Sequence, residues 1–162
     1  MMKFSVLTLL ISLLLLTGWN SAAASDFFEE DTVTVEVKGT NADARFDPVV
    51  VSVNPGDVIQ FIVREGFHTV TAYHPANRRP KRIPDTAKPF DSGLMEQGDQ
   101  WFLNITEEGM YDYFCLPHEK LGHVGRIIAG SFDAADDYPE EGIPNVALQK
   151  LSTKTEQFLN NK

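Results

Sequence analysis

The stretch Tyr111–Gly130 constrains this chain more than any other. Tyr-Asp-Tyr-Phe leads in as an aromatic strand, and Val-Gly-Arg-Ile-Ile-Ala leads out as an apolar one. The loop between them holds the only cysteine, Cys115, and two of the four histidines, His118 and His123. Pro117 bends the loop between Cys115 and His118, and Gly122 precedes His123. A loop joining adjacent strands can turn all three side chains toward one point. Thiolate and imidazole together favour a borderline or soft metal ion, and a bound cation supplies the thiolate by lowering the thiol pKa. His68, which opens another apolar segment after the turn Arg64-Glu-Gly-Phe67, is the candidate fourth donor.

The start of the chain reads as a processing segment. Lys3, the apolar run Phe4–Leu16 and the small residues Ala22-Ala-Ala24 have the layout of a secretory signal peptide over residues 1–24. The run is short for a bilayer-spanning helix, and no later stretch is long and apolar enough to span, so no membrane span is expected in the mature chain. The expected location is therefore periplasmic or otherwise extracytoplasmic. The net charge is −9, one unit more negative once Lys3 is removed. That balance argues against a nucleic-acid partner. Exported proteins ordinarily use cysteines in pairs. A single one must be a free thiol, an intermolecular bridge, a nucleophile or a metal ligand.

The remaining chain alternates short strands and turn signals. Thr32–Lys38 has period two with one buried face. Phe46–Val53 reads as a second strand with Pro48 near its start, and Asn54-Pro-Gly-Asp57 as a turn. Val58–Val63, His68–Tyr73, Gln100–Ile105, Met110–Cys115 and Val124–Ala129 follow as strands. Four prolines make His74–Ser92 a long loop, with the basic cluster Arg78–Arg82. This pattern predicts an all-β Greek-key sandwich of about seven to eight strands over residues 25–130. The extension 131–162 begins with an acidic loop, Asp133–Glu141. A helix is expected from Val146 to about Leu159, with Leu148, Leu151, Thr155 and Phe158 on one face, either docked on the sandwich or left solvated.

These residues resemble a cupredoxin of the plastocyanin, pseudoazurin and halocyanin type. The resemblance spans Phe46 to Gly130. It rests on Phe46-x-Pro48, Val53-Asn-Pro-Gly-Asp57, His68-Thr-Val70, Tyr113-x-Cys115-x-Pro117-His118 and Gly122-x-Val124-Gly125-x-Ile127. It implies a type 1 copper site in which His68, Cys115 and His118 hold one copper ion in a near-trigonal plane. The family places an axial methionine eight residues after the cysteine, and this chain has His123 there.

An axial imidazole is a stronger donor than a thioether and suits Cu(II). Bound, His123 would lower the reduction potential and shift the colour from blue toward green or red. An unperturbed imidazole titrates near pH ~6.5, so protonation would release His123 from the metal. Thr69 stands where the family often has asparagine; either its hydroxyl bonds the ligand-loop backbone or it is simply a strand residue. Met95, in an irregular segment, is a competing axial donor. Met110 faces away from Cys115, and His74 reads as a surface histidine.

The resemblance implies a monomeric, non-enzymatic one-electron carrier whose redox protein partners dock on an apolar patch near His118, formed by Leu116, Pro117, Leu121 and Gly122. The basic cluster would steer an acidic partner or only solvate its loop. A non-redox copper or zinc carrier is the alternative, since one cysteine and three histidines also suit tetrahedral zinc. A Cys115 nucleophile is a third class, with His118 too near in sequence to make a convincing base.

Overall fold

The computed structural model of the protein describes residues 32–131 and 138–161. The leader predicted over 1–24, the lead-in to Asp31 and the first part of the acidic stretch lie outside the described residues. Among the described residues, ten strands and one α-helix run in the order β1 (Thr32–Lys38), β2 (Arg45–Asp47), β3 (Val50–Val53), β4 (Val58–Val63), β5 (Phe67–His68), β6 (Thr71–Ala72), β7 (Met95–Glu96), β8 (Gln100–Asn104), β9 (Gly109–Phe114), β10 (Val124–Ala129) and α1 (Asn145–Asn160). One sheet has the order β2-β1-β4-β8, the other β3-β10-β9-β6, and β5 pairs with β7 apart from both. The β1–β4 and β3–β10 pairs are parallel, and the remaining pairs are antiparallel.

The core lies between the two large sheets. Alternation on β1 and β4 sends Val35, Val37, Ile59, Phe61 and Val63 inward, where they meet Tyr111, Tyr113, Ile127 and Ala129 of the facing sheet. Gly125 is the point of closest approach. A Cβ there would lie 2.3 Å from Tyr113 Cζ, so only glycine lets that ring fill the centre.

Two predicted strands are each divided. Phe46–Val53 splits into β2 and β3, which belong to different sheets, with the chain crossing at Pro48. Proline has no N–H to give a ladder, so the crossing falls where the pairing would be broken in any case. His68–Tyr73 splits into β5 and β6, because Thr69 and Val70 turn their backbone to the ligand loop and to Ser92. Met95, expected in an irregular segment, lies on β7.

The extension docks. Both faces of β10 are buried, because α1 covers the outer one. Ala147 and Leu151 of α1 pack with Ile143 against Tyr73, Phe114 and Val124, with Leu148 at the margin. The most buried line of the helix is Ala147, Leu151, Thr155, slightly rotated from the expected face.

Beneath this extension lies a buried charge cluster. Asp112 and Arg126 are direct cross-strand neighbours on the outer face of β9 and β10. Arg126 donates to both Asp112 carboxylate oxygens, at 2.6 and 2.8 Å, and Arg82 Nε donates to Asp112 Oδ2 at 2.8 Å. Arg126 also reaches Thr155 Oγ1 at 3.0 Å, and Arg82 the Pro139 carbonyl at 2.9 Å. Both arginines thus tie the extension to the sheet. Asp112→Ala leaves two buried guanidiniums without their carboxylate, and breaking such a cluster costs about 3–5 kcal/mol. Urea unfolding of the metal-free protein should show that loss, and a loss under ~1 kcal/mol would mean that the cluster relaxes into solvent.

Candidate metal centre

The β9–β10 connection brings the loop donors together. The Cys115 amide donates to the His123 carbonyl at 3.0 Å, and the His118 amide to the Cys115 carbonyl at 3.0 Å. A single 3-10 turn, Glu119–Leu121, lies between them and ends on Gly122 with φ +79°, a left-handed conformation that glycine adopts without cost. From the short β5 strand, His68 completes the group. One donor atom each from His68, Cys115, His118 and His123 lies within 4.8 Å of every other. Cys115 Sγ is 3.6 Å from His68 Nδ1 and 3.4 Å from His118 Nδ1. His68, Cys115 and His123 are fully buried, whereas His118 is partly exposed at the protein edge.

The surroundings fix these side chains. His68 Nε2 lies 2.7 Å from the Glu65 carbonyl and 3.1 Å from the Gly39 carbonyl. Carbonyls only accept, so Nε2 carries the proton and Nδ1 offers its lone pair toward Cys115. Thr69 has the first of its two expected roles. Its hydroxyl accepts from the Leu116 amide at 2.8 Å, and its own amide points at Cys115 Sγ at 3.5 Å. The sulfur therefore receives a backbone N–H.

A further anchor has no local signature. Glu119, within the ligand loop, is buried, and Arg79 grips it through Nε at 3.0 and 3.1 Å and Nη2 at 2.6 Å. The Arg79 guanidinium also lies over the Phe114 ring, 5.0 Å from its centroid. Two members of the basic cluster are thus turned into the protein, Arg79 onto Glu119 and Arg82 onto Asp112, and for these two the expected role in a steering patch or solvated run is corrected. Lys81 meets Asp85 in a surface pair, and Arg78 is exposed. Arg79 and Glu119 are 40 apart in sequence, and only opposite charge hinted at the pair.

A family model described as copper binding proteins, plastocyanin/azurin family, matches residues 33–130, more than half of the chain. The chain belongs to that family. A pseudoazurin of Paracoccus pantotrophus is 32% identical over 136 residues, 83% of this chain and 88% of its own length. A pseudoazurin of Methylorubrum extorquens is 28% identical over 95% of this chain and 93% of its own length. The crystal structure of pseudoazurin from Methylobacterium extorquens AM1 superposes with a TM-score of 0.65, covering 79% of this chain and 99% of that one at 23% identity, a likeness of fold.

This cupredoxin's donor set fits its family's metal. Two imidazoles and a thiolate suit copper, and the fourth donor is the most telling. Neither ring nitrogen of His123 has a partner within hydrogen-bond geometry, although the Arg45 backbone is near enough to favour the protonated ring weakly. Buried polar groups are almost always satisfied, so an unpartnered ring nitrogen of His123 within reach of the Cys115 sulfur fits the role of a metal donor. Met95, the competing axial donor, is buried in the core across the β5–β7 ladder from His68. Met110 lies on the outer face of β9 with Asp112 and Phe114, opposite Cys115. His74 caps a one-turn helix, accepting from the Ala76 amide through Nδ1 at 3.1 Å.

Burial controls the ionisation of the site. It pushes the Cys115 thiol up to about 11, against the lowering effect of the Thr69 and His118 amides. A cation is therefore needed to produce the thiolate at neutral pH. Burial first, then the His68, His118 and Lys150 charges, pushes His123 down to about 2. Release of His123 by protonation near pH ~6.5, expected of an unperturbed imidazole, is accordingly corrected.

The sign of the stability effect follows. The unfolded chain protonates His123 below about 6.5, while the folded chain keeps it neutral down to about 2. The unfolded state then binds more protons, so stability falls as pH drops through that window. Denaturant unfolding of the metal-free protein should show this slope, and His123→Met should remove part of it. Identical slopes for the two proteins would contradict the assignment.

Proposed function

We propose that this cupredoxin is an exported one-electron carrier in which His68 Nδ1, Cys115 Sγ, His118 Nδ1 and a ring nitrogen of His123 hold one copper ion. Residues 25–130 form the copper-binding domain, 131–162 the extension that carries the docked helix α1, and 1–24 the leader removed on export. The observation that carries this reading is the convergence of four donor atoms within 4.8 Å, one of them on a buried imidazole with no other partner. Copper, when bound, supplies the Cu(I)/Cu(II) couple.

The chain's own residues keep rearrangement small. The Glu65 and Gly39 carbonyls hold the His68 ring, the Thr69 hydroxyl holds the Leu116 backbone, and Arg79 holds the loop through Glu119. Rigid donors that need not move between oxidation states lower the cost of electron transfer, and no substrate chemistry is required. Water is kept out by the Phe46 ring, 4.1 Å from that of His123. His118 is the one donor at the edge. Around it Leu116 is 57% and Leu121 47% exposed, and Pro117 is exposed as well. That apolar rim is the surface on which redox protein partners of the monomer dock.

Titration of mature protein with Cu(II) should give an intense thiolate-to-copper absorption band at one equivalent. The band should bleach reversibly with reductant and be absent in Cys115→Ala. His123→Met should raise the reduction potential and move the spectrum toward that of a blue site. A colourless complex, or one that cannot be cycled, would replace electron transfer by metal carriage, zinc included.

A further inference from the structure

Helix α1 reaches the metal centre from behind. Gly122 immediately precedes His123, and a Cβ at Gly122 would lie 3.2 Å from Val146 Cγ2 and 3.7 Å from Lys150 Cδ. The aliphatic stem of Lys150 therefore runs over the backbone of the ligand loop. Two features make this lysine unusual. It is half-buried in the middle of the helix, away from the C-terminal carbonyls that commonly stabilise a cation. Among the described residues it has no carboxylate or hydrogen-bond partner, and the charged groups that act on it are Lys154 and Arg45, both cations. Burial, then Lys154 and Arg45, lowers its pKa. Lysines that cover apolar surface ordinarily extend their ammonium into water or onto an acid.

We infer that Lys150 tunes the reduction potential of the copper centre, its uncompensated positive charge behind His123 opposing the more highly charged oxidised site. The inference rests on the ligand set proposed above. Cu(II) with the Cys115 thiolate carries a formal charge of one, and Cu(I) with the same thiolate carries none. The electron comes from the redox protein partner, and no bond to Lys150 forms or breaks. A fixed cation nearby destabilises the charged form more than the neutral one, and a half-buried charge is screened little by salt. Lys150 thereby raises a potential that an axial imidazole lowers. The extension, beyond bracing the sheet, delivers a charge to the site.

The test uses copper-loaded mature protein with Lys150→Met, which keeps the packing of the stem, and Lys150→Arg, which keeps the charge. The midpoint potential, the visible and EPR spectra, and the separate Cu(II) and Cu(I) affinities are measured for each. Lys150→Met should increase the preference for Cu(II) over Cu(I) by roughly three- to tenfold, lowering the potential at ~59 mV per tenfold. Lys150→Arg should keep the wild-type potential, and both variants should keep the wild-type spectra. An unchanged potential in Lys150→Met overturns the inference and leaves the ligand set standing. So does an equal fall in Lys150→Arg, or a shifted absorption band, either of which would make the role one of packing. A wild-type protein without the thiolate-to-copper band overturns the ligand set and this inference together.

Discussion

Phe114 stands opposite Val124 on the β9–β10 ladder, and the Cys115 amide donates to the His123 carbonyl one step further on. This register decides which side chains face which layer. Tyr111, Tyr113 and Cys115 turn into the sandwich, while Asp112 and Phe114 turn outward with Arg126 and Val124. A slip of one residue would send the thiol to the outer face and an unpaired carboxylate into the apolar core. The metal centre and the docked extension are thus two consequences of one pairing, read from opposite faces of the same two strands.

Each face is stabilised by different physics. Inside, burial keeps the His123 imidazole neutral and the Cys115 thiol protonated until a cation arrives. Outside, Asp112 accepts from two arginines that themselves reach residues 139 and 155. Buried ion clusters are poor sources of net stability but strict about geometry. This one dictates where the helix lies and so where Val146 and Lys150 meet Gly122. The Arg79–Glu119 pair does the same for the ligand loop from the side of the proline-rich segment. Charges within the fold, rather than contacts to the donors alone, hold the loop in shape.

Much of this was legible in the sequence, and the missed parts share a cause. The boundaries of β1 follow from period-two patterning, because a strand with one buried face carries its own record of orientation, while β4 and β10 show as short apolar runs bounded by turn residues. The four candidate donors were legible because the lone cysteine and the histidines stand within motifs that resemble a cupredoxin site, with His123 at the place of its axial residue. Local pattern does not say which sheet a strand joins, so Phe46–Val53 and His68–Tyr73 each looked like one strand. Nor does it pair charges far apart in sequence. Arg82 reads as one of the basic run, and nothing local joins it to Asp112 or Arg126 on their strands until the sheet register and the docked extension bring the three together. The environment of His123 was hidden for the same reason, since its protonation depends on Phe46 and α1, both distant in sequence.

His123 stands eight residues after Cys115, where the cupredoxin resemblance implies an axial methionine, and the proposed function makes it a donor. Copper K-edge X-ray absorption on the loaded protein in both oxidation states addresses this central claim most directly. The account predicts one short sulfur and three imidazole nitrogens around copper, with little change in the shell on reduction. A shell of one short sulfur and two nitrogens, with a long second sulfur or an oxygen in place of the third imidazole, would contradict it.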